Sequence, residues 1–555
     1  MNTNENYSDI VNVATKMARM AVEQPYKMAV VCPSGKDKKG NTAYTHLTFR
    51  QLQRESDCLA HGLLASGIRR GTRTILMVKP GLEFFALTFA LFKVGAVPVV
   101  VDPGMGVKRM LNCLSESKAS ALIGIPPAHV LRTLYPKFFK TVKIAITVGN
   151  TWFWRGLTFQ DIRRTPWKPF AVADTRKNET AAILFTTGST GPAKGVVYTH
   201  GIFDAQVESI RTHFDIRPGE IDLPTFPLFA LFDPALGMTA VIPDMDPTRP
   251  AKVNPKNIIE AVLRHGVTNM FASPALLNRV GRYGRDNRIK LPSLKRVISA
   301  GAPALPSILE CFSTMLNKEA EIFPGYGATE AMPVAAIGSH TVLSTTRQLS
   351  EKGFGICVGH IIDGVKARII LISDDPIPEW SEDLTMPDGE IGEIVVQGNL
   401  VTKTYFQRPK DDRLGKIKHG GMFWHRMGDL GWFDNENRLW FCGRKSHRVT
   451  TEKETLFTIP CEAIFNNHPD VFRSALVGIG EAGAQKPVMC IELEKSGSRK
   501  SRKELLKELS TLAKGNAMTA KIETFLFHKS FPVDIRHNSK IFREKLAQWA
   551  KKKIK

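Results

Sequence analysis

Short apolar runs alternate with amphipathic stretches along roughly the first 440 residues of the chain. The runs are typical of buried strands, and the stretches between them place apolar residues at helical spacing. Alternation of this kind favours an α/β fold with largely parallel sheets. The predicted strands cover residues 74–78, 97–101, 121–125, 144–148, 183–186, 269–272, 296–300 and 322–324.

The most apolar part of the chain, residues 84–101, is interrupted by Lys93 and Pro98. These polar and helix-breaking residues argue against a membrane span, which needs about 20 apolar residues in a row. The segment instead predicts a buried helix over 82–93 and a buried strand over 97–101.

Another helix is well marked at both of its ends. Asn254 is a typical N-cap residue, and Pro255 suits the first helical position. Apolar residues then follow at helical spacing until Gly266, where the helix is expected to have ended.

The pattern changes at about residue 371 to shorter strands with turn signals, which indicates a β-rich subdomain. Beyond residue 444 it becomes a smaller α+β pattern, with strands expected over 475–479 and 489–493 and a helix over 503–512. We therefore predict two domains. They are a large N-terminal domain of stacked α/β subdomains plus the β-rich subdomain (1–444), and a small mobile α+β domain (445–555).

Composition is that of a globular protein, with 555 residues, 43% of them hydrophobic and 23% charged. The eight cysteines show no spacing of metal ligands, and we expect them to be buried thiols of a reduced protein. The polar start of the chain lacks the pattern of a signal peptide. A cytoplasmic location is therefore expected.

The formal charge of +23 is unusual, and part of it lies in residues 499–514 and 551–555. Solvated surface is the simplest interpretation. The alternatives are attraction to a membrane surface through these basic patches, or to acyl-handling partner enzymes. Nucleic acid is the weakest candidate, because no helix-turn-helix, zinc-finger or RNA-binding signature is present.

Residues 185–195 read Phe-Thr-Thr-Gly-Ser-Thr-Gly-Pro-Ala-Lys-Gly and follow an apolar strand. Glycines allow the backbone N–H groups to converge on an anion, and hydroxyls add further donors. The loop is not a Walker A sequence, since alanine precedes Lys194 and no Ser or Thr follows it. It is a candidate phosphate site, or a plain flexible turn.

Further motifs follow in order along the chain. The run from Gly325 to Glu330 reads Gly-Tyr-Gly-Ala-Thr-Glu and follows a predicted strand, where α/β proteins bind ligands. Asp429 lies in a glycine-flanked turn, Arg444 lies at the predicted domain boundary, and Lys540 lies near the end of the chain.

In this order and spacing, the motifs resemble those of the adenylate-forming superfamily of acyl-CoA synthetases, luciferases and adenylation domains. The resemblance covers about residues 10–550. It implies that ATP and Mg²⁺ are used to convert a carboxylic acid into an acyl-adenylate. It also implies that the β- and γ-phosphates are held by Thr186, Thr187, Gly188, Ser189, Thr190, Gly191 and Lys194.

The same resemblance implies roles for the later motifs. The backbone of Ala300, Gly301, Ala302 and Pro303 would lie along adenine, and Tyr326, between Gly325 and Gly327, would stack on it. Thr329 would donate to the α-phosphate and Glu330 would bind Mg²⁺, a hard cation that prefers oxygen. Asp429 with Arg444 would bind the ribose, and Lys540 would bridge the substrate carboxylate and the α-phosphate.

Several positions depart from the pattern of acyl-CoA synthetases. The hinge residue, usually Asp or Lys, is Ser446, and Thr455 takes the place of a glycine along the pantetheine path. The residue before Lys540 is Ser539 instead of glycine. Together these departures weaken the case for thioester formation with CoA.

The runs over residues 222–234, 242–250 and 442–448 are similar to those of β-lactone synthetases of bacterial olefin biosynthesis. That resemblance implies a long-chain 2-alkyl-3-hydroxy acid as substrate. Its carboxylate would be adenylated, and its own 3-hydroxyl would then displace AMP and close a four-membered lactone. Holding both reactants in one molecule offers an intramolecular advantage over ring strain.

The first of these runs also contains candidate substrate contacts. An apolar slot for alkyl chains is expected from Phe226, Phe229, Phe232 and Leu236, with plain core packing as the alternative. Asp233 lies among these apolar residues, and a buried carboxylate needs a partner. It could orient the hydroxyl or act as a base.

Two other functions stay open on the sequence. A long-chain fatty-acyl-CoA ligase would use CoA as a further cosubstrate. A non-catalytic binding or scaffold protein would use its basic tail, although the Thr/Gly/Lys loop, Glu330 and Lys540 argue against it.

Overall fold

The computed structural model describes residues 9–186, 192–494, 500–533 and 541–554. These residues form a mixed α/β protein, as the alternating pattern predicts. Their strands form two large sheets and two small ones. The helices span Ala14–Glu23, Phe49–Ala65, Leu82–Val94, Val107–Glu116, Pro126–Leu134, Phe159–Ile162, His200–His213, Asp233–Leu236, Pro255–His265, Pro274–Asp286, Pro306–Ser313, Ser339–Thr341, Arg347–Glu351, Pro409–Gly415, Thr458–Asn466, Arg502–Lys514 and Arg543–Ile554.

The described strands before residue 200, apart from the pair Met28–Lys36 and Thr42–Thr48, form a seven-stranded sheet. Neighbouring strands are parallel except for the last pair, which is antiparallel. In spatial order the strands are Leu157–Thr158, Ile144–Thr147, Ala121–Gly124, Arg73–Met77, Val97–Val101, Thr180–Thr186 and Lys194–Thr199.

A second, larger sheet has a mainly parallel part and an antiparallel part, which meet at the hairpin joining Glu321–Ala328 to Ala331–Ala336. Its antiparallel part thus begins at Ala331, earlier than the change of sequence pattern near residue 371. At the far edge of the sheet, Met28–Lys36 and Thr42–Thr48 also pair antiparallel. In spatial order the strands are Val365–Ile370, Gly392–Gly398, Met422–Phe433, Leu439–Arg444, Ile356–Ile361, Ala331–Ala336, Glu321–Ala328, Arg296–Ser299, Asn269–Ala272, Ile221–Pro224, Thr239–Val241, Met28–Lys36 and Thr42–Thr48, and Lys416–His419 pairs with Met422–Phe433.

The two large sheets share one hydrophobic core. Phe89 of the apolar helix Leu82–Val94 belongs to the same buried cluster as Ile123 of the seven-stranded sheet and Ala240 of the larger sheet. The helix predicted over 82–93 is therefore confirmed as a buried core element. None of the described helices has the length and apolarity needed to cross a membrane.

Residues after 448 form their own smaller sheets. Strands Val471–Ile479, Lys486–Leu493 and Thr524–Phe527 pair with one another, and Val449–Thr450 pairs with Thr455–Leu456. Two buried clusters in this part, around Phe465 and Phe531, contain only residues beyond 448. The domain boundary at 444/445 agrees with this arrangement and stays a prediction.

Local signals in the sequence fix the helix Pro255–His265. The Asn254 side chain accepts a hydrogen bond from the Lys256 amide, and Gly266 adopts the left-handed conformation that ends the helix. All eight cysteines lie among the described residues and are buried free thiols, as expected.

Lys93 is fully buried, although a charged side chain in an apolar helix normally reaches solvent. Its ammonium group contacts the Asp57 carboxylate at 2.6 Å and the Ser56 hydroxyl at 2.7 Å. The indole of Trp167 donates to the other Asp57 oxygen at 3.1 Å. Burial lowers the pKa of Lys93 to about 8, against the opposing effect of Asp57. The pair ties the helix Leu82–Val94 to the helix Phe49–Ala65.

We predict that Lys93→Met lowers the free energy of unfolding by about 3–5 kcal/mol, because it leaves the Asp57 carboxylate buried without its cation. Urea denaturation followed by circular dichroism would measure the loss. The matched control is Lys177→Met, which removes an exposed lysine 3.8 Å from Asp9 and should change stability by less than about 1 kcal/mol. Equal stabilities of the two variants would contradict the prediction.

Candidate active site

A single cleft of about 2810 Å³ brings together most of the motifs that the sequence singles out. Thr225, Ser273 and Ala300 line it, and each directly follows a parallel strand of the larger sheet. The carboxyl ends of parallel strands are the usual ligand site of α/β folds. Lys194 lines the cleft from the seven-stranded sheet, and His447 from beyond the predicted boundary.

The candidate phosphate loop begins where the strand Thr180–Thr186 ends, and its lysine opens the next strand. Thr186 is the register partner of Lys194 in this antiparallel pair of strands. Thr187, Gly188, Ser189, Thr190 and Gly191 lie outside the described residues. Their assignment to the phosphates, with that of Thr186, stays a prediction.

Lys194 reaches into the cleft and contacts an acidic residue that the sequence did not indicate. Its ammonium group lies 2.8 Å from an Asp411 carboxylate oxygen and 4.9 Å from the ring centroid of Tyr405. A third of the Lys194 side chain is exposed. The lysine thus lines the cleft in contact with a carboxylate, and its role at the phosphates stays a prediction.

Thr329 and Glu330 form the tight turn between Glu321–Ala328 and Ala331–Ala336. Gly327 makes this turn possible, because a Cβ there would lie 2.8 Å from the Ala331 carbonyl oxygen. The Tyr198 hydroxyl donates to the Thr329 carbonyl, which anchors the turn to the strand Lys194–Thr199.

The Glu330 carboxylate is held by a second tyrosine. The Tyr405 hydroxyl donates to Glu330 Oε1 at 2.8 Å, and the Thr402 amide donates to the Glu330 carbonyl at 2.8 Å. Mg²⁺ commonly binds one or two carboxylates, several waters and substrate phosphates. One oriented carboxylate at the edge of the cleft fits that kind of site.

A buried lysine lies behind this carboxylate. Lys416 donates to the Thr402 carbonyl, and its ammonium group lies 5.7 Å from the ring centroid of Tyr405. Burial lowers the pKa of Lys416 to about 8, against the opposing effect of the nearby Glu330. Neither Tyr405 nor Lys416 belongs to a recognisable motif, so no signal in the sequence indicates this support.

The candidate adenine and ribose residues lie on neighbouring elements. Ala300, Gly301, Ala302 and Pro303 all line the cleft as a loop after the strand Arg296–Ser299. Gly301 has φ +96°, a conformation that favours glycine. Gly325, Tyr326 and Gly327 line the cleft on the neighbouring strand.

Asp429 connects Tyr326 to Arg444. The Tyr326 hydroxyl donates to Asp429 Oδ2 at 2.8 Å, and Arg444 Nη1 lies 2.9 Å from Asp429 Oδ1. Asp429 and Arg444 are also register partners on adjacent strands. Burial and the Asp429 charge raise the pKa of Tyr326 well above its usual value, so its phenol stays protonated. The three predicted nucleotide contacts thus form one hydrogen-bonded group.

We predict that Asp429→Ala raises the KM for ATP about 10- to 100-fold, since a charged hydrogen-bond partner at a buried position is removed. Initial rates of AMP formation over a range of ATP concentrations would measure the effect. Asp388→Ala, in an exposed turn, is the control and should leave KM unchanged. An unchanged KM in both variants would contradict the ribose assignment.

The candidate acyl contacts lie together on one wall of the cleft. Phe226, Phe229, Phe232 and Leu236 all line it, and the three phenylalanines are only partly buried. Phe229 stacks on Phe271 with 4.0 Å between ring centroids and lies 5.7 Å from Phe226. Partly exposed aromatic rings on a cleft wall suit an apolar slot better than plain core packing.

Asp233 has the partner that its burial requires, and that partner is another carboxyl group. It hydrogen bonds to Asp222. The Asp222 carboxylate in turn accepts a hydrogen bond from the side-chain amide of Asn269 and one from the Leu223 backbone N–H. Both carboxyls are at least 96% buried and line the cleft. The second Asp233 oxygen, Oδ2, has no hydrogen-bond partner in the described structure.

The two carboxyls share a site that cannot hold two full negative charges. Burial raises the pKa of Asp222 to about 7, and burial together with the Asp222 charge raises that of Asp233 well above its usual value. Asp233 therefore carries the proton and donates it to the Asp222 carboxylate, which accepts the larger number of hydrogen bonds. The sequence indicated Asp233 but not its partner.

Lys540 lies outside the described residues. Ile541 and Phe542, which follow it, line the cleft. Its role at the substrate carboxylate stays a prediction.

The chain is similar to known proteins in both sequence and fold. Residues 17–406 match the family model described as "AMP-binding enzyme". The chain is 46% identical over 557 residues to an olefin beta-lactone synthetase of Xanthomonas campestris pv. campestris, covering 99% of both chains. It is 45% identical to the olefin beta-lactone synthetase of Stenotrophomonas maltophilia, covering 97% of this chain and 98% of that protein.

The fold has a close counterpart among solved structures. The amide bond synthetase of Marinactinospora thermotolerans superposes with a TM-score of 0.78, at 21% identity, over 97% of this chain and 99% of that one. At this identity the likeness concerns the fold.

Proposed function

The chain belongs to the AMP-binding enzyme family, and we propose that it adenylates a long-chain 2-alkyl-3-hydroxy acid and closes it to a β-lactone. The observation that carries the proposal is the content of one cleft. It is lined by the segments that we predict to bind the nucleotide, by the aromatic side chains that we predict to bind the acyl chain, and by the Asp222–Asp233 pair. The name shared by two relatives at 45–46% identity supports the same reaction.

In the first step, a carboxylate oxygen of the substrate attacks the α-phosphorus of ATP and pyrophosphate leaves. Lys194 and the phosphate loop would bind the leaving phosphates, and Thr329 would bind the α-phosphate. Glu330 would hold Mg²⁺, which offsets the negative charge that builds up between the two anions. Lys540 would bridge the reacting carboxylate and phosphate.

In the second step, the 3-hydroxyl oxygen attacks the acyl carbon, the bond from that carbon to the AMP oxygen breaks, and AMP leaves. The hydroxyl proton has to go to a base. Asp233 Oδ2 would accept it while the proton already on Asp233 passes to Asp222. The pair thus ends neutral, and no buried charge is created during ring closure.

A fatty-acyl-CoA ligase is the second candidate, because its first step is the same. Ser446 and Thr455, which replace residues usual in CoA-using relatives, disfavour it. Thr455 lies in the short strand Thr455–Leu456, half-buried against Val449–Thr450.

Incubation with ATP, Mg²⁺ and a long-chain 3-hydroxy acid, with and without CoA, separates the two functions. The proposal predicts AMP and a β-lactone without thiol, and no increase on adding CoA. The corresponding acid without its 3-hydroxyl is the matched control, and it should support pyrophosphate exchange but not lactone formation. Turnover that depends on CoA and yields a thioester would refute lactone synthesis.

The substrate of such a reaction is a fatty-acid-type molecule, and its product is a strained lactone. An enzyme that removes CO₂ from the lactone would have to follow, and acyl-handling enzymes would supply the hydroxy acid. The basic segments at 499–514 and 551–555 are our candidates for contacts with them. Weaker association at high ionic strength is the expected sign of such contacts.

A further inference from the structure

Four large apolar side chains are exposed at one corner of the seven-stranded sheet. Trp152 and Phe153 are 62% and 67% exposed in the loop after the strand Ile144–Thr147. Leu134 and Tyr135, 67% and 40% exposed, lie at the end of the helix Pro126–Leu134. We call residues 126–140 and 149–157 the aromatic corner.

The loop that carries Trp152 and Phe153 is anchored to the helix beside it. Trp154 is buried and stacks on His129, with 5.3 Å between ring centroids and 14° between ring planes. Its indole donates to the Thr147 hydroxyl at 3.0 Å. Arg132 reaches the Arg155 carbonyl at 3.5 Å. The two exposed rings are therefore presented on a fixed support.

The charged side chains of the aromatic corner itself are all basic. The sequence contains no Asp or Glu between Glu116 and Asp161, while the same stretch contains six Lys and Arg residues. Lys137, Lys140 and Arg155 are exposed within the aromatic corner. Asp161 beyond it caps a helix by binding the Thr158 amide and hydroxyl.

The corner lies away from the catalytic cleft. The strands beside it, Ile144–Thr147 and Leu157–Thr158, form the sheet edge opposite Lys194–Thr199. Residues 126–157 are all described by the structure, and none of them lines the cleft. Substitutions here therefore test a surface role without touching the nucleotide or acyl site.

We propose that the aromatic corner docks on the surface of an anionic lipid bilayer. The indole of Trp152 and the phenol of Tyr135 belong to the ring types that prefer the headgroup region, where their apolar faces are buried and their polar edges stay hydrated, while Phe153 and Leu134 add apolar surface. Lysine and arginine beside them are attracted to anionic headgroups. A protein partner would need acidic groups and apolar pockets placed to match the basic residues and the four protruding apolar side chains. An anionic bilayer offers negative headgroups and an apolar interior at every point of its surface.

This docking does not depend on the proposed reaction, although the two fit together. An acid with long alkyl chains dissolves in the bilayer, so an enzyme held at that surface would meet its substrate there. Vesicle binding can be measured without ATP or acid. A failure of docking is thus distinguishable from a failure of lactone synthesis.

The test is co-sedimentation of the full chain with vesicles of phosphatidylcholine and phosphatidylglycerol in equal parts, against vesicles of phosphatidylcholine alone. We expect binding to the anionic vesicles that weakens with salt. Trp152→Ala/Phe153→Ala should weaken it at least about tenfold. Lys137→Gln/Lys140→Gln/Arg155→Gln should weaken it by about two orders of magnitude.

The matched control is Val22→Ala/Tyr26→Ala, which removes apolar side chains that are 81% and 77% exposed elsewhere. It should bind as the unaltered protein does, and all variants should keep pyrophosphate exchange, which shows that they are folded. Absence of vesicle binding would overturn the proposal. So would undiminished binding of the aromatic variant, or binding of the corner to an acidic protein but not to vesicles.

Discussion

Replacing Glu330 by glutamine lowers the rate of acyl-adenylate formation by about 10²–10³-fold, the usual cost of removing a preorganised charged group at a phosphoryl-transfer site. The glutamine side chain keeps an oxygen that can accept from Tyr405, so the turn between the two strands is preserved. What is lost is the negative charge that would hold Mg²⁺. Exchange of labelled pyrophosphate into ATP measures this step alone.

Glu319→Gln is the control, since Glu319 is exposed in the turn that precedes the strand Glu321–Ala328. The Glu330 variant should also need a higher Mg²⁺ concentration for half-maximal exchange. If both variants exchange pyrophosphate at the rate of the unaltered protein, Glu330 does not bind the metal.

Replacing Asp233 by asparagine separates the two steps of the reaction. The asparagine can still accept a hydrogen bond from the substrate hydroxyl, but it cannot pass a proton to Asp222. Lactone formation should fall by about 10²–10⁴-fold, the contribution typical of a general base. Pyrophosphate exchange should remain within about threefold, because adenylation does not use this pair.

The pH dependence of lactone formation provides a second readout. The base is the pair with one proton, and Asp222 has its pKa raised to about 7 by burial. Below that pH the pair becomes neutral and cannot accept the hydroxyl proton, so closure should slow about tenfold per pH unit. Asp246→Asn, in an exposed turn of the same region, is the control. Equal loss of both steps in the Asp233 variant would indicate a structural role.

The sequence predicted best what depends on neighbouring residues. The helix Pro255–His265 is confirmed at both ends, because its N-cap and its terminal glycine are local signals. The eight predicted strands are confirmed for the same reason, since burial on both faces leaves an apolar run, whereas the parallel strands Ile221–Pro224 and Thr239–Val241 were not predicted. The motif residues from Tyr326 to Glu330 lie in the cleft because a strand and its turn place them there together.

Contacts between distant segments could not be predicted in this way. Lys194 and Asp411 are far apart in sequence, and nothing in either local pattern indicates the other. Tyr405 supports Glu330 from a distant segment of the chain, and Asp222 meets Asp233 only because a short helix turns back on its strand. The apolar surroundings of Asp233 in the sequence indicated that it needed a partner, and only the fold identified it.

In the proposed reaction, the carboxylate is activated by adenylation, and the substrate's own 3-hydroxyl then attacks the acyl carbon and displaces AMP. A 3-hydroxy acid with ¹⁸O in both carboxylate oxygens tests this sequence of steps by mass spectrometry of AMP and lactone. We predict one ¹⁸O in AMP and one in the lactone carbonyl, with the ring oxygen unlabelled. A lactone that keeps both labels, with unlabelled AMP, would show that the hydroxyl is activated instead and would rule this reaction out.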